Sequence, residues 1–280
     1  MAKKAKQSVN GITEGVIWQQ LLIFFFPILL GAFLQQLYNT ADAMVVGRFV
    51  GTAALSAVGG TTNTILNLII GFFIGLSSGA TVIISQYFGG GDQEEISDAV
   101  HTSIALSLAG GAILTVFGLI AAPWMLQMLN TPADVMQFAT PYLRIYFVGT
   151  IVNLLFNVGT GILRAVGDSK SPLYVLIFCT VLNIALDVLF VAVFRLATAG
   201  AAIATILSQA CSALLVLILV HRKGGAFHIH LKEIKLHPDL LMHIFRIGLP
   251  AGIQQGITSF SNVFVQASIN AFGSACMAGW

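Results

Sequence analysis

The sequence predicts an all-α, polytopic membrane protein: a six-helix bundle followed by the first helix of a second, parallel repeat, as in a truncated twelve-helix architecture. Three observations carry this. The 280 residues are 57% hydrophobic and only 9% charged, and apolar runs of about 20 residues or more recur, each long enough to cross a hydrocarbon core of roughly 30 Å. The segment that begins near residue 28 returns near residue 251. Two carboxylates, Asp42 and Asp187, lie inside apolar runs, where ionised groups are costly and mark an ion or substrate route.

The spans read as 16–44, 54–87, 100–129, 135–163, 171–194, 199–220 and 247–270. Each is helical, because backbone in lipid must satisfy its own hydrogen bonds and the alternating pattern of a barrel strand is absent. The first carries Pro27 inside it, a position that removes a backbone hydrogen bond and invites a hinge. Its polar residues Gln35, Tyr38, Asn39 and Asp42 recur at helical spacing and share one face. In the second, Gly71, Gly75 and Gly79 recur every four residues and predict close helix packing. The turn Gly89-Gly90-Gly91-Asp92 lacks the Gly-Lys-Ser/Thr ending of a nucleotide loop. The fourth carries Tyr142, Tyr146, Asn153 and Asn157 along one side, with Arg144 turned away from them. The fifth carries Thr180, Asn183 and Asp187, the sixth Thr205, Gln209 and Ser212, and the seventh Gln255, Ser259, Asn262 and Gln266.

Five helices thus each offer a wet seam, and in a bilayer such seams must meet one another or line water. For any single seam, interhelical hydrogen bonding without a cavity is the alternative; together they predict a central hydrated cavity. Its substrate wall is expected from Gln35, Tyr38, Tyr142, Tyr146, Asn153, Asn157, Gln255 and Asn262. Asp42 lies six residues before Arg48 and Asp187 eight before Arg195, so their depths agree to a few ångströms at about 1.5 Å per residue. Paired carboxylates would be relieved by a shared proton or a bound cation. Asn39, Asn183 and Thr205 add neutral oxygens suited to a proton network or to a sodium ion held at Asp42 and Asp187. The alternative is that each acid is a buried, permanently protonated hydrogen-bond donor. No cofactor is implied; the energy source is expected to be a gradient of protons or sodium.

Charge placement predicts sidedness. Lys3, Lys4 and Lys6 precede the first span, Arg164 and Lys170 follow the fourth, and Arg222, Lys223, Lys232, Lys235 and Arg246 lie between the sixth and seventh, whereas the opposite ends carry Arg48 and Arg195. The positive-inside rule then places the N-terminus in the cytoplasm of a multi-pass inner (plasma) membrane protein. Cys179, Cys211 and Cys276 follow no disulfide or metal spacing. The histidines at 221, 228, 230 and 237 lack partners at ligand spacing and read as solvated linker.

The repeat aligns Pro27 with Pro250, Asn39 with Asn262, and Gly51-Thr52-Ala53 with Gly273-Ser274-Ala275, a period of roughly 222 residues. An even number of intervening helices makes the copies parallel. The domains are therefore read as a six-helix lobe at 1–221, a cytoplasmic linker at 222–246, and the beginning of a second lobe at 247–280, with the rest of that lobe expected as a missing partner.

Pro27 through Asp42, Gly47 through Gly59, Tyr142-Leu143-Arg144, Arg164 through Pro172 and the Asn183 to Asp187 spacing together resemble the multidrug and toxic compound extrusion transporters. The resemblance implies two six-helix lobes around a V-shaped cavity, and export of organic, often cationic, compounds in exchange for protons or sodium. It places a cation site at Asp42, Asn183, Asp187 and Thr205, with Tyr142 nearby. The sequence departs from it where Val265 stands opposite Asp42 in the second copy, and where Gln254 and Gln255 replace the glutamate of some sodium-coupled members. A lipid-linked oligosaccharide flippase of related architecture would carry more cationic residues in its cavity. An intramembrane aspartyl protease would need Gly-x-Gly-Asp, to which Ala165-Val166-Gly167-Asp168 is the nearest approach. The expected partners are a small organic substrate and the bilayer, not nucleic acid.

Overall fold

The computed structural model describes residues 16–273, 276 and 277; Lys3, Lys4 and Lys6 lie outside them. The described residues are all-α. α1 (Ile17–Phe49) passes through Pro27 as one helix. It is followed by α2 (Thr52–Gly90), α3 (Gln93–Met128), the bent pair α4 (Ala133–Val148) and α5 (Thr150–Ala165), then α6 (Lys170–Val193), α7 (Ala197–Arg222) and α8 (Pro238–Asn270). Five of these are long and apolar enough to span a membrane alone, and α4 with α5 forms a sixth span bent by 52°.

Local sequence explains the joints. α2 ends at Gly91 in the left-handed region (φ 78°), and Asp92 immediately caps α3 by accepting from the Glu95 N–H at 3.3 Å, with Glu94 and Glu95 in the first turn. The fourth predicted span is broken at Gly149. A Cβ there would lie 2.5 Å from Ile206 Cγ1, so glycine lets the bend press against α7. The Thr150 hydroxyl spans the break, 2.7 Å from the Phe147 carbonyl and 3.3 Å from that of Gly111. Two π-helical segments widen their helices: Ser56–Thr62 in α2, whose Val58 and Gly59 line a cavity, and Val188–Val193 in α6, which starts directly after Asp187. Such segments often accompany functional positions.

The α2–α8 interface is the closest helix pairing. A Cβ on Gly75 would lie 2.6 Å from Gly252 Cα, and Gly79 meets Gly248 in the same way. Here the four-residue glycine spacing does what it predicts. Apolar side chains pack at the two ends of the bundle, around Val46, Leu126, Leu143 and Phe147 at one and Ile84, Val100, Leu163 and Val220 at the other. The polar seams lie between them.

Two features support the internal repeat. α1 and α8 each run 33 residues with an internal proline, and the aligned glycines Gly51 and Gly273 both follow their helices with positive φ, 119° and 89°. One boundary differs from the sequence reading: α8 starts at Pro238, inside the 222–246 stretch read as linker. Proline at the first helical turn, with Asp239 behind it, is a helix start that hydropathy alone does not register.

Candidate cation and substrate site

A cavity of about 430 Å³ opens among α1, α2, α5, α6 and α7, with α4 and α8 contributing at its edges. Gln35, Tyr38, Asn39 and Asp42 line it from α1, Tyr142 and Tyr146 from α4, Asn153 and Asn157 from α5, Thr180 from α6, Thr205, Gln209 and Ser212 from α7, and Gln255 from α8. Its volume suits a small organic molecule. No lysine, arginine or histidine is among its lining residues.

Asp42 is 5% exposed and Asp187 is fully buried. Asp187 lies beside Asp42, so α1 and α6 bring the two carboxyls together. The Thr205 hydroxyl donates to Asp42 Oδ2 at 3.2 Å. The other Asp42 oxygen, both oxygens of Asp187 and both polar atoms of Asn183 are buried without a hydrogen-bond partner. Two adjacent carboxyls in low dielectric cannot both carry full charge without a counter-cation or a shared proton. The unpaired oxygens of Asp42, Asp187 and Asn183 therefore form a donor set that fits a proton or a hard monovalent cation.

Around this pair the seams are partly bonded to one another. Asn157 Nδ2 donates to Asn153 Oδ1 at 3.0 Å, Asn153 Nδ2 to Gln209 Oε1 at 3.3 Å, and Gln209 Nε2 to Tyr146 Oη at 3.4 Å. The Tyr142 and Tyr146 rings stand 6.0 Å apart. Seam contact and cavity coexist: Asn153 and Gln209 spend both amide groups on neighbours, Asn157 spends only its Nδ2, and all three still line the opening. Tyr38 is buried with its hydroxyl unpartnered.

Some expected wall and site residues fall elsewhere. Asn183 and Asp187 sit behind the cavity surface, not on it. Asn262 is exposed and does not line the cavity. It falls at the edge of the stripe that Gly248, Gly252, Ser259 and Gln266 bury against α2. Ser259 and Gln266 take the alternative fate of a seam: Ser259 donates to the Asn67 carbonyl, and Gln266 Oε1 accepts from the Thr64 hydroxyl, both on α2. Pro27 borders an adjoining pocket of about 270 Å³ with Gly31, Thr160 and Arg164. Arg144 is exposed. The cavity also takes in Asn63 and Asn67, which the sequence reading passed over. Their four-residue spacing, continued by Gly71, was a seam of the same kind as the others.

A helical bundle with membrane-length spans, a polar cavity and a buried carboxyl pair defines an all-α polytopic membrane protein. Residues 27–189 match the MatE family model, and the chain belongs to that family. It is 31% identical to the probable multidrug resistance protein YoeA of Bacillus subtilis (strain 168), across 99% of this chain and 60% of that protein. It is 24% identical to the multidrug export protein MepA of Staphylococcus haemolyticus (strain JCSC1435), across 95% of this chain and 59% of that one. The chain thus spans about 60% of the length of these relatives. Among solved structures, it resembles an inward-facing conformation of a multidrug resistance MATE family transporter of the MOP superfamily, with a TM-score of 0.80 at 29% identity, covering 87% of this chain and 56% of that one. An outward-facing conformation of a transporter so described matches with a TM-score of 0.79 at 28% identity, covering 88% and 55%.

Proposed function

We propose that this chain provides the first lobe, and the start of the second, of a cation-coupled efflux transporter that exports organic, chiefly cationic, compounds by alternating access. The observation that carries the reading is the buried Asp42–Asp187 pair beside a polar, tyrosine-lined cavity. With the cavity open outward, the pair takes up a proton or sodium ion, and binding shifts the balance between outward and inward states. In the inward state the cation leaves, and Asp42 is free to favour a positively charged substrate, with Tyr38, Tyr142 and Tyr146 available for ring contacts. Similarity to both an inward-facing and an outward-facing neighbour supports a lobe that keeps its internal packing through the cycle.

The basic residues at the ends of α5 and α7 and in the connection before α8 support an N-terminus in the cytoplasm. The absence of cationic side chains from the cavity lining favours drug export over lipid-linked oligosaccharide flipping. Asp168, the acid of the nearest protease-like motif, is engaged by Lys223 at 2.6 Å in a loop, away from the paired acids.

Resistance of cells expressing the complete protein tests the proposal. Asp42→Asn and Asp187→Asn are expected to insert at normal levels and lose resistance to cationic drugs; undiminished resistance in both would overturn it.

A further inference from the structure

Five of the six histidines gather on one face of the bundle, where the connection between α7 and α8 crosses the first turns of α3. Two of the rings accept hydrogen bonds from neighbouring main-chain amides. The His230 N–H donates to His101 Nε2 at 3.0 Å, and the Ile229 N–H donates to His221 Nδ1 at 3.1 Å. His101 is 1% exposed, and its Nδ1 lies 2.8 Å from the Ser97 carbonyl oxygen. A carbonyl only accepts, so the ring proton sits on Nδ1 and the lone pair on Nε2 faces the connection.

Only neutral imidazole can fill this role. A protonated ring carries N–H at both nitrogens and would present one to an amide N–H about 3 Å away. The crowding adds to this. His221 and His228 have ring centroids 3.8 Å apart, and His228 and His230 4.7 Å apart, so successive protonations place like charges in contact. Local desolvation, followed by His221 and His230, holds His228 below the ordinary imidazole value. Two acids face the cluster: Glu233 Oε2 lies 3.9 Å from His101 Nε2, and Asp98 Oδ2 lies 3.5 Å from His237 Nδ1. The basic residues nearest in sequence are Arg222 and Lys223 on α7 and Lys232 and Lys235 in the connection. A protonated His101 therefore has Glu233 to turn to, exchanging a main-chain donor for a carboxylate. Among the described residues no three His, Cys, Asp or Glu side chains are disposed to hold a metal ion.

We propose that this arrangement is a pH-released clasp, in which neutral His101 and His221 fasten residues 228–230 of the inter-repeat connection to the first lobe, and protonation releases them. The sign follows from the acceptor role. The clasp is complete while both rings are neutral and is lost when they take up a second proton. On the sidedness proposed above, it senses the cytoplasmic side and ties the freedom between the two repeats to acid there.

Amide hydrogen exchange of the complete protein in lipid nanodiscs tests this at about pH 8 and about pH 5.5. Rates are corrected for intrinsic pH dependence, and amides of α5 serve as reference. Protection of the Ile229 and His230 amides is expected to fall at least tenfold at the lower pH, with α5 unchanged. In the double variant His101→Gln, His221→Asn, the side-chain oxygens accept the same bonds without titrating, and protection is expected to be equal at both values. A double variant unprotected at both would also support the clasp, since it shows that these two rings carry it. Equal protection of the wild type at both values, or a pH transition that survives in the double variant, would overturn it.

Discussion

Thr205 gives Asp42 one hydrogen bond, and the other carboxyl oxygen is buried without one. Replacing Thr205 with Val keeps the shape and removes the donor. That bond favours the ionised carboxyl, and a hydrogen bond to an ionised group is worth about 1.5–3 kcal/mol, so on the proposed coupling the variant should hold a proton roughly tenfold or more tightly than the wild type; isothermal titration at varied pH reads this. Asp168 works outside the membrane-spanning segments. Burial alone would raise its pKa, but the hydrogen bond from Lys223 and those from the Ser171 N–H and hydroxyl outweigh it and hold the carboxyl below its ordinary value. A lowered pKa means the contribution is present above about pH 4 and disappears as pH falls through the lowered value. Asp168→Ala should therefore destabilise the α5–α6 turn at neutral pH by about 1–2 kcal/mol, a modest figure because Lys223 is partly exposed. In thermal unfolding, the gap from wild type should narrow at acid pH. At this scale the sequence was readable where a polar residue stood alone in an apolar run, as Asp42 and Asp187 do. It was less readable where the acting group is main chain: His228 and His230 read as solvated side chains, and their rings are exposed, yet the adjacent amides are held by two other histidines.

Glycines set the geometry of the elements. Gly75 and Gly79 admit α8 to backbone contact with α2, and a Cβ at Gly75 would stand 2.6 Å from Gly252 Cα. Gly75→Ala forces the helices apart and should cost about 1–3 kcal/mol; Gly89→Ala, in open space, should cost far less. Comparative thermal unfolding in detergent checks both. Helix existence was legible from hydropathy because lipid admits so few alternatives. The breaks were not. At the bend, Gly149 packs against Ile206 from α7, a contact that hydropathy does not register, and neither do the π-segments at Ser56–Thr62 and Val188–Val193. Asn262 shows the limit of face reading. A seam at helical spacing fixes which side a residue is on, but whether the edge of that side meets a cavity is decided by the neighbouring helix.

At the scale of the whole molecule, α1 and α6 carry their acids to one point, and together with α2, α5 and α7 they enclose a polar opening next to it. The proposal above makes this lobe one of a pair, and membership of the MatE family supports it. Pro27 lies on α1 beside a second pocket that shares Gln35, Phe156, Asn157 and Leu176 with the main cavity, a position from which bending α1 would alter both. Pro27→Ala is expected to fold normally and to slow transport, as initial efflux rates would show. The measurement that bears most directly on the paired acids is drug flux in proteoliposomes of the complete protein, with proton and sodium gradients imposed separately. Flux driven by one of these gradients, abolished by Asp42→Asn and by Asp187→Asn while drug still binds, is the predicted result. Gradient-driven flux that persists in both variants would contradict it.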